Sequence, residues 1–181
     1  MNSIKENQKE DNHNDLGGEH AVAKLREVVK HAKSGFLCTA TSDASHLSAR
    51  PMSVRIVDDA GALWFLCAAD SHTVVEVGRD PAAIMFFQAS PHSGFLRLTG
   101  TASLSRDRAK IHELWSPLLK TWFTEGEDDP RITVLKITPS TGYYWDNKHG
   151  DMIAGIKMVV GAAIGQTMDD SIEGTLTFGT I

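Results

Sequence analysis

From residue 19 onward, apolar side chains recur at helical spacing: Val22, Leu25, Val28, Val29 and Ala32, with Lys24, Arg26, Glu27 and Lys30 between them. This predicts an amphipathic helix with one face on a core. Glu19 complements the positive end of its dipole, and Lys33 with Gly35 marks its end. Residues 1–18 are rich in charges and amides and hold almost no large apolar groups. They cannot bury enough surface to offset ordering entropy, so a disordered tail is expected, with residues 19–181 as one domain.

Beyond the helix the pattern shifts to alternation and short apolar runs. Residues 36–41 read as a strand. Residues 48–57 alternate after Pro51, with Met52, Val54 and Ile56 on one face and Ser53, Arg55 and Val57 on the other. Pro51 lacks a donor, which places this strand at an edge or a bulge. Residues 58–61 form a turn and residues 62–68 the returning strand of a hairpin. Residues 71–79 predict a short helix capped by Asp70 or Ser71. Strands over 82–88 and 94–104 follow.

Residues 106–123 are helical in character and divided at Ser116-Pro117. An acidic loop (125–130), a strand (132–138) and an aromatic edge (142–145) come next. Residues 148–165 carry Ile153, Ile156, Val160 and Ile164 at helical spacing, weakened by Gly155 and Gly161. Residues 175–181 suit a terminal strand. Hairpin-linked strands with helices at the joins imply an α+β, mainly β fold: a small antiparallel barrel, not a doubly wound sheet.

Composition narrows the function without naming it. The 181 residues are 41% hydrophobic with a formal net charge of -5. No basic run offsets that charge, which disfavours a nucleic-acid partner. The N-terminus lacks the apolar core of a signal peptide. The longest apolar stretch, 152–165, is interrupted by Lys157 and falls short of the roughly 20 residues that span a bilayer. A cytoplasmic protein with no membrane partner is the expectation. Cys38 and Cys67 sit in strand-like runs and read as buried, reduced thiols. The eight His are scattered without ligand spacing, so no metal site is expected. Glu125, Glu127, Asp128 and Asp129 form a charge run, ordinarily solvated. No phosphate loop, dinucleotide fingerprint or nucleophile elbow is present, and no pattern names a general acid or base.

Four segments read in order are more specific. They are Ala49-Arg50-Pro51-Met52; Leu63-Trp64-Phe65-Leu66 with Asp70-Ser71-His72-Thr73; Trp115-Ser116-Pro117 with Trp122-Phe123 and Asp128-Asp129-Pro130; and Tyr143-Tyr144-Trp145-Asp146. From about Ala21 to Gly165 the chain resembles the pyridoxamine 5'-phosphate oxidase-like proteins, in the general stress protein 26 branch. The resemblance implies a six-stranded antiparallel split β-barrel with flanking helices. It further implies a homodimer with FMN in the groove between the two subunits.

Carried over by that resemblance, Arg50, Met52 and Ser53 border the flavin, with Arg50 toward its phosphate. Leu66 and Cys67 contribute backbone, and Ser71, His72 and Thr73 hold the phosphate at a helix start. Trp145, with Asp146, approaches from the other subunit. A helix N-terminus suits a phosphate, and an arginine adds a charge-assisted fork.

Plainer roles stand beside these. Ser71 serves equally as a cap, Arg50 as a surface partner of Asp43 or Asp58, and Trp64, Trp115, Trp122 and Trp145 as packing. The chain departs from the family at Thr73, where lysine is common, and at Phe95, where true pyridoxamine-phosphate oxidases place a polar contact. The resemblance implies FMN-dependent oxidoreductase activity on an unknown small substrate, with vitamin B6 oxidation disfavoured because the Arg/His-bearing C-terminal segment has no counterpart. A non-catalytic flavin carrier or sensor, and a barrel that binds a deazaflavin or haem, are the alternatives.

Overall fold

The computed structural model describes residues 12–41, 47–148 and 170–179. The predicted helix over 148–165 lies outside them, apart from Lys148.

The first helix, α1 (Glu19–Ala32), buries Ala21, Leu25, Val28 and Val29, the stripe its sequence spacing dictates. It ends where Lys33 turns to φ 60° while its N–H still bonds Val29 O. The strands are β1 (Leu16–Gly17), β2 (Ser34–Ala40), β3 (Leu47–Ser53), β4 (Ile56–Val57), β5 (Leu63–Ala68), β6 (Ala82–Gln88), β7 (Phe95–Ser105), β8 (Ile132–Asn147) and β9 (Ser171–Thr177). Helix α2 (His72–Arg79) joins β5 to β6, and α3 (Arg108–Leu114) follows β7. Two 3₁₀ turns, Pro117–Thr121 and Gly126–Asp128, lead to β8.

The sheet runs β1-β9-β8-β7-β6-β2-β3, with β5 paired to β8 and β4 to β5. It wraps the core without closing. Strand β8 changes partners along its length: Ile132–Ile137 lie against β5, and Thr141–Asn147 lie against β9. The switch sits beside a bulge in the β7–β8 ladder at Thr99/Gly100. There Pro139 of β8 supplies no N–H, and a Cβ at Gly100 would overlap Thr138 O, so the backbones approach closely only with glycine. The main core gathers Leu25, Leu37, Leu63, Phe65, Met85, Leu96, Leu98, Leu135 and Tyr144. A second cluster of Ile111, Leu114, Phe123, Ile132 and Val134 lies under α3.

Several expectations change. The described residues contain nine strands rather than six, and the sheet is mixed because β1 runs parallel to β9. The segment over 142–145 is not an edge, since β9 covers it. Of the expected tail, residues 12–18 are tied to β9: Glu173 N donates to Asn12 O, Asn14 N to Glu173 O and Gly18 N to Thr177 O, at 2.8–3.0 Å. Residues 1–11 lie outside the described set. The predicted helix over 106–123 stops at Leu114, and the part beyond Ser116-Pro117 is 3₁₀. The strand expected over 48–57 breaks at Val54-Arg55. Pro51 does lie on an edge strand, since β3 ends the ladder.

Candidate functional site

Strand β3 alternates exposed and half-buried positions, so Ser48, Arg50 and Met52 face the core side while Ala49, Pro51 and Ser53 face outward. Arg50 lies opposite Leu37 in the ladder, and this side of the sheet is covered by α2. The guanidinium therefore meets the helix. Its Nη1 donates to Thr73 Oγ1 at 2.8 Å. Its Nη2 donates to Ser48 O at 3.3 Å and pairs with the Glu76 carboxylate. Glu76 also accepts the Thr39 hydroxyl at 2.6 Å. The Arg50 and Glu76 side chains are only 18% and 12% exposed. Burial opposes ionisation of Glu76, but the Thr39 hydroxyl and Arg50 outweigh it and hold its pKa below the usual carboxylate value.

Ser71 caps α2: its Oγ accepts from Val74 N at 3.4 Å. Its own N–H returns to Ala68 O. The next two N–H groups, on His72 and Thr73, have no acceptor among the described residues, as the first turn of a helix requires. Just before the helix, Leu66–Ala68 pair with β8 on one side. On the other side β4 reaches only Leu63 and Trp64. Cys67 is buried, donates to Thr133 O at 3.6 Å, and has its thiol pushed up to about 11 by burial, with a contact to Ser71 opposing. Burial also pushes up Cys38, with the Arg50 charge opposing.

The outward face of the same sheet is different. Phe36 and Phe86 are cross-strand partners, 56% and 45% exposed, and Pro51 lies beside Phe36. Farther along, Phe95 opposes Trp145, which is 43% exposed and packs on Tyr143 at 4.7 Å between ring centroids. Phe36, Pro51, Phe86, Phe95 and Trp145 line a cleft of about 740 Å³. Phe95, flagged as a departure from a polar contact, thus forms part of an apolar wall.

Within one chain the sequence-derived site residues fall into two groups. Arg50, Thr73, Ser71, His72 and the backbone of Leu66 and Cys67 gather at the start of α2, with Met52 packed on the adjoining core. Ser53 and Trp145 belong to the outward face. Asp146 lines the cleft beside Trp145, and its carboxylate pairs with Lys24 of α1. Burial works against that lysine's charge, and Asp146 with Glu27 more than compensates, so its pKa is raised.

Other expectations are revised here. Asp58 does not pair with Arg50: it accepts from Trp64 Nε1 and Ala62 N, both at 2.8 Å. Asp43 lies outside the described residues. Trp64 packs in the cluster under α3, and Trp115 lies against Phe123. Trp122 is 66% exposed and is not core packing. The acidic run is not uniformly solvated. Asp129 is fully buried and accepts Arg131 Nε at 3.0 Å and Nη2 at 2.7 Å. The residues that sequence reasoning missed are Glu76 and Thr39. Glu76 stands three positions after Thr73, on the same helical face, but its partner across the sheet has no signature in sequence.

The architecture is that of an open, mainly β barrel with an arginine-bearing edge strand beside a helix start. The chain belongs to the pyridoxamine 5'-phosphate oxidase-like family, whose model matches residues 20–169. Among solved structures it is similar to one described as a general stress protein 26 from Jannaschia sp. CCS1, with 26% identity and a TM-score of 0.71. That likeness covers 86% of this chain and 97% of the other. It is also similar to the general stress FMN/FAD binding protein of Xanthomonas citri, with 25% identity, a TM-score of 0.56, and 64% and 81% of the two chains covered. Protein bli-3 of Neurospora crassa is 26% identical over 132 residues, 68% of this chain; the chain spans 63% of that protein's length. No helix among the described residues is long and apolar enough to cross a membrane.

Proposed function

We propose that the chain is a flavin-binding protein of the general stress type that holds FMN in a groove between two copies of itself. The observation that carries this reading is the meeting of Arg50, the Thr73 hydroxyl and the two acceptor-free N–H groups of His72 and Thr73 at the start of α2. A cation, a hydroxyl and helix-terminal amides are the donor set a phosphate requires. Family membership and the flavin-binding relative of Xanthomonas citri support the same ligand.

In this reading Leu66 and Cys67 offer backbone beside the phosphate, and the backbone of Met52 and Ser53 flanks the ring along the edge of β3. Trp145 and the apolar cleft lie on the outward face of the sheet, away from Arg50 of the same chain. A second copy that brings its own Trp145 against β3 completes the site, which makes the homodimer part of the proposal. When bound, the flavin supplies the electron-transfer chemistry. The chain binds it, orients the ring against aromatic side chains and excludes water. Oxidoreductase activity on a small substrate is the function proposed for that flavin.

The fit is incomplete at one point: Arg50 is already engaged by Glu76. That observation favours a second reading, a flavin carrier or sensor without turnover. Titration of the purified protein with FMN, followed by flavin fluorescence, tests the shared premise, and saturable micromolar or tighter binding is expected. Absence of saturation at millimolar FMN removes FMN from both readings. Reduction of the loaded protein by NADH or NADPH, with steady-state turnover of an acceptor, separates enzyme from carrier.

A further inference from the structure

The Arg50 guanidinium is only partly open to an anion. One Nη1–H goes to Thr73 and both Nη2–H groups go to Ser48 O and the Glu76 carboxylate, which leaves Nε–H and the second Nη1–H. Glu76 is held in place by the Thr39 hydroxyl at 2.6 Å. Both charges are largely withdrawn from water, where their mutual attraction, and the repulsion of any further anion, are screened least. A phosphate that approaches Arg50 meets a neutralised cation and a fixed carboxylate on the same guanidinium.

We propose that Glu76 is a specificity-determining residue: it acts as a built-in counter-ion for Arg50 and narrows the site's preference for the phosphorylated flavin over the uncharged, phosphate-free one. The proposal rests on the flavin reading above and deepens it. Thr39 acts through Glu76, by fixing the carboxylate toward the strand. A phosphate that takes the remaining N–H groups of Arg50 shares its charge with Glu76 and gains that charge in full only by displacing the carboxylate, whereas a riboflavin-type ligand leaves the pair intact.

The test is a parallel fluorescence titration of the full chain, Glu76→Gln and Thr39→Val with FMN and with riboflavin. The wild type is expected to bind FMN no more than about tenfold tighter than riboflavin. Glu76→Gln should tighten FMN by roughly tenfold or more, the scale of one charge-assisted hydrogen bond, while riboflavin moves less than about twofold. Thr39→Val, which keeps both charges, should shift the ratio the same way by less, and it carries the test if Glu76→Gln does not fold. A purely structural role for Glu76 would weaken both ligands together, and an unchanged FMN-to-riboflavin ratio overturns the proposal. A further arm measures thermal stabilisation by inorganic phosphate against chloride of equal ionic strength. If no form binds flavin, the flavin reading falls and this arm decides. Phosphate stabilisation in Glu76→Gln beyond that of wild type sustains the role of Glu76, and equal responses overturn it.

Discussion

Gly174→Ala is expected to detach the N-terminal strap. Gly174 lies in β9 directly beneath residues 12–18, and a Cβ there would overlap Asn14 O and come within 2.5 Å of the Asn14 carbonyl carbon. Those are backbone atoms and cannot rotate away, so the strap must lift. Lifting it breaks the ladder bonds from Glu173 N to Asn12 O, Asn14 N to Glu173 O and Gly18 N to Thr177 O. It also breaks Thr175 N to Asp15 Oδ1 and Tyr144 OH to Asn14 O, at 2.7 and 2.8 Å. Tyr144 is among the most deeply buried side chains, so its hydroxyl loses a partner that water replaces only if the strap opens. At roughly 0.5–1 kcal/mol net for each of these bonds, with about 0.5–1 kcal/mol returned by alanine's better strand entropy, the cost is about 2–4 kcal/mol. Urea unfolding measures it, and hydrogen exchange of the Asn14, Gly18, Glu173 and Thr175 amides localises it. A change below about 0.5 kcal/mol with protection of those amides intact would refute the reasoning.

Leu98→Ala, at a fully buried position in the main core, should cost about 2–5 kcal/mol by the same unfolding assay. Asp129 is held down to about 2, chiefly by hydrogen bonds from Arg131. Its folded pKa lies below its unfolded one, so the stability it contributes is complete above about pH 4 and is lost as pH falls through about 2. Thermal melts of wild type and Asp129→Asn should therefore differ at pH 5 and converge near pH 2, and a gap constant across that window would contradict the assignment. With its thiol near 11, Cys67 should be ionised to roughly one part in a thousand at pH 8 and resist alkylation until the protein unfolds; mass spectrometry of the labelled native protein reads this directly. Phe86→Glu, on the exposed Phe36–Phe86 face, should shift the proposed dimer to monomer in sedimentation, and a dimer of unchanged strength would move the interface elsewhere.

Local rules made much of this chain legible. The stripe of α1, the cap at Ser71, the edge position of Pro51 and the family motifs depend on neighbours in sequence or on a period of 2 or 3.6, and they read correctly from the letters. The fold also places Arg50 within hydrogen-bond distance of Thr73, two residues that the family resemblance assigns to one site. Three features depended on the path of the chain in space and were out of reach. Residues 12–18 carry little apolar surface of their own, yet β9 supplies the hydrogen-bond partners that order them.

The acidic run looked solvated because charge alone is visible in sequence, whereas the buried clamp of Asp129 on Arg131 arises from how the chain turns at Pro130. Glu76 read as one more surface charge on a short helix. Only the packing of α2 across β2 and β3 brings it to Thr39 and Arg50, residues 37 and 26 positions away. The sequence by itself determined the family, the α1 stripe, the α2 cap and most of the central strands. The tertiary structure alone decided what already neutralises Arg50, because a charge pair in a folded chain is set by distance in space, and sequence separation carries no such distance.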